Sequence, residues 1–360
     1  MHAETLIETR RQVEVCNACR YCEGYCAVFP ALQSQRAFAD GDLTQLANLC
    51  HNCRGCYYAC QYTEPHEFAL NLPGILARTR QQSWEELAFP AAPARLFQRS
   101  GVAMALVTVL AFALLFGLAR WLAQWLGEPG GDGFYAVISH GAMVAIFAPA
   151  FIFPLLSIAV SLRRYWRITG GEPVALADLA GAIGSAAGMR NLAGGAAEGC
   201  NFEDEDRYSN ARKLAHQAVM YGFLLCLAAT SVATLLHYGF DIRAPYALVS
   251  APKLLGLSGG VLLLAGCLWM LALKLRADRR LGDASAWNGE TGFIVLLGLV
   301  AASGLALYAL GQTGVMPLLL ALHLGAVLAF FLLTPFSKMA HGFYRLAALA
   351  RDEQRKRLGL

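Results

Sequence analysis

The sequence predicts an all-α protein in two unequal parts: a polar N-terminal domain of short helices, then a bundle of six helices that cross a membrane. Three observations carry that prediction. Of 360 residues, 57% are hydrophobic and only 15% are charged, with a mean hydropathy of +0.45, which is too apolar to cover a soluble surface. Beyond residue 92 lie six apolar stretches, each close to the roughly 20 residues needed to cross about 30 Å of hydrocarbon. Neither part shows the Val/Ile alternation of strands. This composition excludes a soluble enzyme and a disordered regulator. The net charge of +4 is no nucleic-acid signature either, because the basic residues sit in the connections between apolar stretches.

The N-terminal part, residues 1–92, holds eight of the 11 cysteines. Its opening, Met1 to Glu14, is polar and lacks the apolar core of an export signal, so the thiols are expected on the reducing side of a membrane, as metal ligands and not disulfides. Cys16, Cys19, Cys22 and Cys26 have the spacing C-x2-C-x2-C-x3-C, and Cys50, Cys53, Cys56 and Cys60 repeat it. In this pattern three thiolates wrap one iron–sulfur cubane and the fourth reaches the other. Cys16, Cys19, Cys22 and Cys60 are therefore assigned to one [4Fe–4S] cluster, and Cys50, Cys53, Cys56 and Cys26 to a second. Structural zinc, held by two separated pairs, would leave half of these thiols without a role. The intervening FPALQSQRAFADGDLTQLANL favours helix, with Gly41 as punctuation. An α-helical ferredoxin-like domain is expected, not a small β-rich one. His51, beside a ligand cysteine, reads as a surface histidine. Pro90 and Pro93 mark a linker into the second domain, 93–360.

The apolar stretches run approximately 101–125, 134–161, 214–239, 246–273, 292–311 and 315–337. Runs this long without alternation are helices, since lipid tolerates only helices and closed barrels. An even number returns both termini to one side. The connection between the second and third spans carries Arg163, Arg164, Arg167, Arg190, Arg207, Arg212 and Lys213. The next on that side carries Lys274, Arg276, Arg279 and Arg280, and the tail carries Arg345, Arg351, Arg355, Lys356 and Arg357. The opposite connections offer Arg120, Arg243 and Lys253, beside Glu128, Asp132 and Asp241. By the positive-inside rule both termini, the cysteine domain and the loop 163–211 are expected in the cytoplasm. The glycine-rich part of that loop, AGAIGSAAGMRNLAGGAAEGC, holds no phosphate-cradling motif and reads as a compact flexible connection.

Five histidines, His140, His216, His237, His323 and His341, lie in or at the spans, where ionisable groups are costly and mark function. His323 and His341 are 18 residues apart, five whole turns and about 27 Å along one helix; His216 and His237 fall within about 60° of one face. Topology sets His216 against His341 at the cytoplasmic edge and His237 against His323 near the outer edge. Paired imidazoles on facing helices are what six-coordinate b-type haem requires, so two haems are expected. His140 stands as a substitute ligand or part of a quinone site. Tyr208, Tyr221 and Tyr238, with Trp121, Trp125 and Trp287, read as an interfacial belt, and Cys226 and Cys267 as small buried hydrophobes.

The doubled cysteine motif, the loop end GGAAEGCNFEDED and the following ARKLAHQAVMYGFLLCLAATSVATLLHYGF together resemble the tricarballylate utilisation membrane proteins of bacteria, CitB-type iron–sulfur proteins, over essentially the whole chain. The histidine pattern is also similar to the cytochrome b subunit of respiratory nitrate reductases, where one helix carries two ligands at the spacing of His323 and His341. The resemblance implies a bacterial inner-membrane protein that reoxidises the FAD of a partner tricarballylate dehydrogenase and passes the electrons to the membrane. It makes the eight cysteines cluster ligands, and His323 and His341 haem ligands. A membrane quinone is the expected acceptor, with His140, Lys253 and Lys338 as candidate proton donors. No flavin or carboxylate site is evident in the chain, so the organic substrate belongs to the partner. A transporter is the alternative, but no broken-helix pair or inverted repeat is evident. A redox sensor would need an output domain, and none is expected.

Overall fold

The computed structural model describes residues 3–126, 135, 138–192, 198–202, 206–242 and 244–359. Glu128, Asp132 and Arg243, and positions 193–197 and 203–205 of the long connection, lie outside them. The chain is all-α. The cysteine domain comprises α1 (Ala3–Cys19), α2 (Val28–Gln33), α3 (Asp40–Leu49), α4 (Gly55–Tyr58) and α5 (Leu72–Leu87). Then follow α6 (Ala91–Trp125), α7 (His140–Ile168), α8 (Leu176–Gly188), α9 (Ala211–Phe240), α10 (Ala251–Arg276), α11 (Trp287–Leu310), α12 (Met316–Leu333) and α13 (Ala340–Leu358). Six of these, α6, α7, α9, α10, α11 and α12, are long and apolar enough to cross a membrane. Among the described residues there is no strand, only an isolated antiparallel bridge between Cys200 and Ser209.

Local chemistry sets the helix starts. Asp42 accepts from the Ala39 N–H at 3.1 Å ahead of α3, and Asn71 Oδ1 accepts from the Gly74 N–H at 3.0 Å ahead of α5, whose first turn holds Pro73. The proline linker is short. Pro90 directly precedes α6, and Pro93 sits in its first turn, where a missing N–H costs nothing.

Two expectations fail here. The glycine-rich connection is not simply a loop, because part of it folds as α8 against α13. Asp178 accepts from the Ala175 N–H at 2.9 Å and from Arg357 at 2.8 and 3.0 Å, capping the helix and tying it to the tail. Nor do His323 and His341 share one helix. Pro335 removes an N–H, and Thr334 and Ser337 turn their hydroxyls onto the carbonyls of Phe330 and Thr334 at 2.7 and 3.2 Å. The chain therefore breaks between α12 and α13.

In the bundle, α9 and α10 approach at glycines: a Cβ on Gly222 would lie 2.5 Å from the Leu263 nitrogen, and one on Gly266 2.7 Å from that of Val219. Such small-residue contacts bind helices in lipid, where apolar burial gives little drive. The core of the cysteine domain is not self-contained. Val13, Leu32, Leu43, Leu46, Leu76 and Trp84 share one buried cluster with Tyr165 of α7 and Tyr344 and Ala348 of α13. Gln45 accepts from the Tyr165 hydroxyl at 2.5 Å and donates to the Ala348 carbonyl at 2.8 Å. The domain is thereby fixed against one end of the bundle.

Candidate functional site

The eight cysteines line two adjoining cavities. One, of about 220 Å³, is walled by Cys16, Cys19, Cys22, Cys56 and Cys60 with Tyr21, Tyr57 and Tyr62. The other, much tighter at about 20 Å³, is walled by Cys26, Cys50, Cys53 and Cys56 with His51 and Arg54. The fourth cysteine of each motif thus lies with the first three of the other. Helix ends and left-handed turns place them: Arg20 (φ 59°), Asn52 (φ 51°) and Arg54 (φ 68°) flank ligand positions, each in a conformation that costs about 1–3 kcal/mol outside glycine. The turns aim backbone donors at sulfur, the Asn52 N–H at Cys50 Sγ and the Tyr62 N–H at Cys60 Sγ, both 3.4 Å.

Burial, then the neighbouring Cys60, pushes Cys16 and Cys22 up to about 12. Burial pushes Cys53 up to about 11, and Cys26 and Cys56 well above the ordinary thiol value. Thiols crowded in this way shed their protons to metal, not to water. Among the described residues no three Cys, His or acidic side chains close on a point, as a single ion requires. The thiols stand around cavity walls instead, the disposition that a polynuclear cluster with one thiolate per iron needs. The donor set fits [4Fe–4S].

Arginines crowd the second cavity. Arg80 and Arg345 each donate to the Cys50 carbonyl at 2.8 Å, Arg212 donates to the Asn52 carbonyl at 2.7 Å, and Arg54 donates to the Phe202 carbonyl at 3.1 Å. Arg54 and Arg212 both lie over the Phe202 ring, their guanidinium carbons 4.9 and 4.1 Å from its centroid. From the 163–211 loop the Asn201 N–H donates to the Cys53 carbonyl at 2.9 Å. His51, expected at the surface, is half-buried against this cavity with Nδ1 bonded to the Leu49 carbonyl at 2.8 Å. In the sequence Arg212 and Arg345 register only as topology markers, and Arg54 and Arg80 carry no signal.

Beneath the cysteine domain, the rings of His216 on α9 and His341 on α13 meet with centroids 5.7 Å apart and planes at 83°. A shared metal with bonds of about 2 Å would set the ring centres roughly 6 Å apart. His341 Nδ1 bonds the Lys338 carbonyl, which leaves Nε2 with its lone pair. Burial holds the His341 pKa well below its ordinary value, in the neutral form that ligates. His216 Nδ1 is buried without a hydrogen-bond partner. The pair fits bis-histidine haem.

The far end of the bundle differs. His237 and His323 do not come together. His237 stacks on His140, centroids 4.8 Å apart at 26°, and His140 bonds the hydroxyls of Tyr238 at 3.0 Å and Tyr135 at 3.4 Å. His323 bonds Ser303 Oγ at 3.0 Å through Nδ1 and lies over Gly304, where an added Cβ would come 3.0 Å from its Cε1. The reason is depth. His237 sits in the last turn of α9, whereas His323 lies seven residues, about 10 Å, into α12. Stacked faces leave no room for iron, so this group does not fit haem as arranged. Of the candidate proton donors, Lys338 is committed to Glu290, which also holds Lys274 at 2.5 Å, and Lys253 lies over the Tyr308 ring at 5.8 Å.

Comparison with known proteins completes the description. Residues 9–86 match the family model of the citrate utilization protein B Fer4-like domain, and residues 95–359 match that of citrate utilization protein B. A curated relative, citrate utilization protein B of Escherichia coli, is 41% identical over 354 residues, 98% of this chain and 93% of that protein. No solved structure matches the chain.

Proposed function

The chain belongs to the citrate utilization protein B family, and from that premise we propose that it is a membrane electron-transfer subunit, taking electrons from a cytoplasmic FAD-dependent dehydrogenase of tricarballylate- or citrate-like acids and delivering them to quinone. Two [4Fe–4S] clusters and a b-type haem, when bound, supply the one-electron chemistry that links a two-electron flavin to a quinone. Cys16, Cys19, Cys22 and Cys60 hold one cluster; Cys26, Cys50, Cys53 and Cys56 hold the other; His216 and His341 hold the haem.

One observation carries the reading: both cysteine sets and the histidine pair gather at the same end of the bundle, in order of depth. Cys19 and Tyr21 are exposed, Cys50 and Cys53 are buried behind them, and α9 and α13 join the second set to the histidines through Arg212 and Arg345. A donor flavoprotein docks on the exposed cysteine face. The basic connections orient that face toward the cytoplasm of a bacterium, with both termini there. At the far end, the Tyr135, His140 and Tyr238 group offers hydroxyl and imidazole hydrogen bonds, which suit the two carbonyls of a quinone. A second haem on His237 and His323 is not carried forward, since each ring is engaged elsewhere. A transporter would leave eight grouped thiols without a role.

The test is cofactor content. Anaerobically purified protein should hold about eight cluster irons per chain, in two cubanes, and one haem with sharp α-bands on dithionite reduction. Colourless, iron-free protein that still crosses the membrane as six helices would overturn the reading in favour of a transporter.

A further inference from the structure

We propose that Arg212 and Arg345 are positioning residues that hold the second cysteine cavity against the His216–His341 pair and make it the stronger electron acceptor of the two cavities. The inference rests on the electron-transfer reading above.

Arg212 and His216 are four residues apart on α9, and His341 and Arg345 are four apart on α13, so each pair shares one helix face. On both helices the arginine reaches a main-chain carbonyl of the Cys50–Cys53 turn, Asn52 at 2.7 Å and Cys50 at 2.8 Å. The helices that present the imidazoles therefore also grip the cysteine turn, and the distance between the two centres is set by two helical turns and two hydrogen bonds.

Of four guanidiniums at this end, Arg54 lines the cavity while Arg80, Arg212 and Arg345 reach carbonyls of its Cys50–Cys53 turn, and Arg54 and Arg80 are each only 4% exposed. Arg54 Nε and Arg345 Nη1 are buried with no acceptor. Arg54 faces Asp278 and Glu290, and Arg345 faces Glu290, but Asp278 is already paired with Arg280, and Glu290 with Lys274 and Lys338. Like charges gathered out of water are costly unless negative charge stands among them. Four thiolates and the cluster they hold supply it. Adding one electron adds one negative charge, so the surrounding cations favour the reduced form and raise the potential.

The first cavity lacks this provision. Besides its cysteines, its walls are tyrosines, Gln61 and apolar residues such as Phe29, Leu70 and Leu72, and Arg20, beside Cys19, is exposed and donates to the Asn17 carbonyl at 3.1 Å. Water screens a charge so placed. With clusters bound at both sites, these guanidiniums would favour a single electron residing at the second cavity, so that oxidation at the first would be balanced by reduction at the second.

The experiment is an EPR-monitored redox titration of the full chain in detergent. Cys53→Ala identifies the signal of the second cluster by its loss. Arg345→Gln should lower that cluster's midpoint, changing the equilibrium constant for sharing an electron between clusters at least tenfold, about 59 mV for a one-electron couple. The first midpoint should stay in place, and Arg345→Lys should restore the second. Arg212→Gln, on the other helix, carries the same expectation should Arg345→Gln fail to fold, and Arg20→Gln should move neither midpoint. An unchanged separation in the Gln variants, or an equal fall of both midpoints, would overturn the inference. Parent protein without two reducible cubanes would instead overturn the electron-transfer reading beneath it.

Discussion

Replacing His341 with alanine removes one of two imidazoles that face each other at 5.7 Å, and the purified variant should lose nearly all of its haem. His237→Ala, by contrast, removes a ring stacked on another ring and should keep its haem and its α-band. A pyridine haemochrome assay reads both, and haem lost from the second variant but not the first would reverse the assignment. Spacing alone made the grouping of the cysteines legible, because the two motifs are close in sequence and repeat. Depth matching along the spans anticipated that the rings of His216 and His341 meet. It misled for His237 with His323, since the pattern does not show that α12 begins at Met316 and buries His323 two turns down. Arg212 and Arg345 were legible only as charges, because what they bind lies more than a hundred residues away in the chain.

Among the helices, the contact between α9 and α10 depends on backbone approach. Gly222→Leu places a side chain where the Leu263 nitrogen would stand 2.5 Å from its Cβ, so the helices must part, at a cost of about 1–3 kcal/mol. Thermal unfolding in detergent should show a lower midpoint; a variant as stable as the parent would mean that the helices do not pack there. The α8 contact carries a pH dependence. A hydrogen bond from Arg357 holds the Asp178 carboxyl below its ordinary pKa. The contact is therefore fully stabilising above the unfolded carboxylate value near 3.9 and is lost as pH falls through the lower, folded value. Hydrogen exchange over residues 176–188, corrected for its intrinsic pH dependence, should quicken as acidity rises, and Asp178→Asn should show no such step. The spans were readable from apolar length, which lipid enforces. The break before α13 was not, because apolar residues continue through Thr334–Pro335 and periodicity counts across them, and α8 was hidden by small residues whose helicity depends on one capping aspartate and a partner 179 positions later.

Across the whole molecule, the cysteine domain and the bundle are joined by a common core, with Tyr165 and Tyr344 packed among the residues of α3 and α5, and by arginines from α9 and α13 on the cysteine turn. The polypeptide divides near Pro90, but the packing does not. Composition along the chain reports the first and is silent on the second, which arises only when the tail folds back. A shared core of this kind holds the cysteine cavities and the histidine pair at one end of the bundle, as the proposed electron transfer between them would need. The most direct measurement is optical. Anaerobic protein, reduced through its cysteine domain by a chemically reduced flavin, should develop haem α-bands, and a soluble menaquinone or ubiquinone analogue should abolish them, more slowly in His140→Ala. Bands that never form, or that form and persist with every quinone offered, would contradict the account.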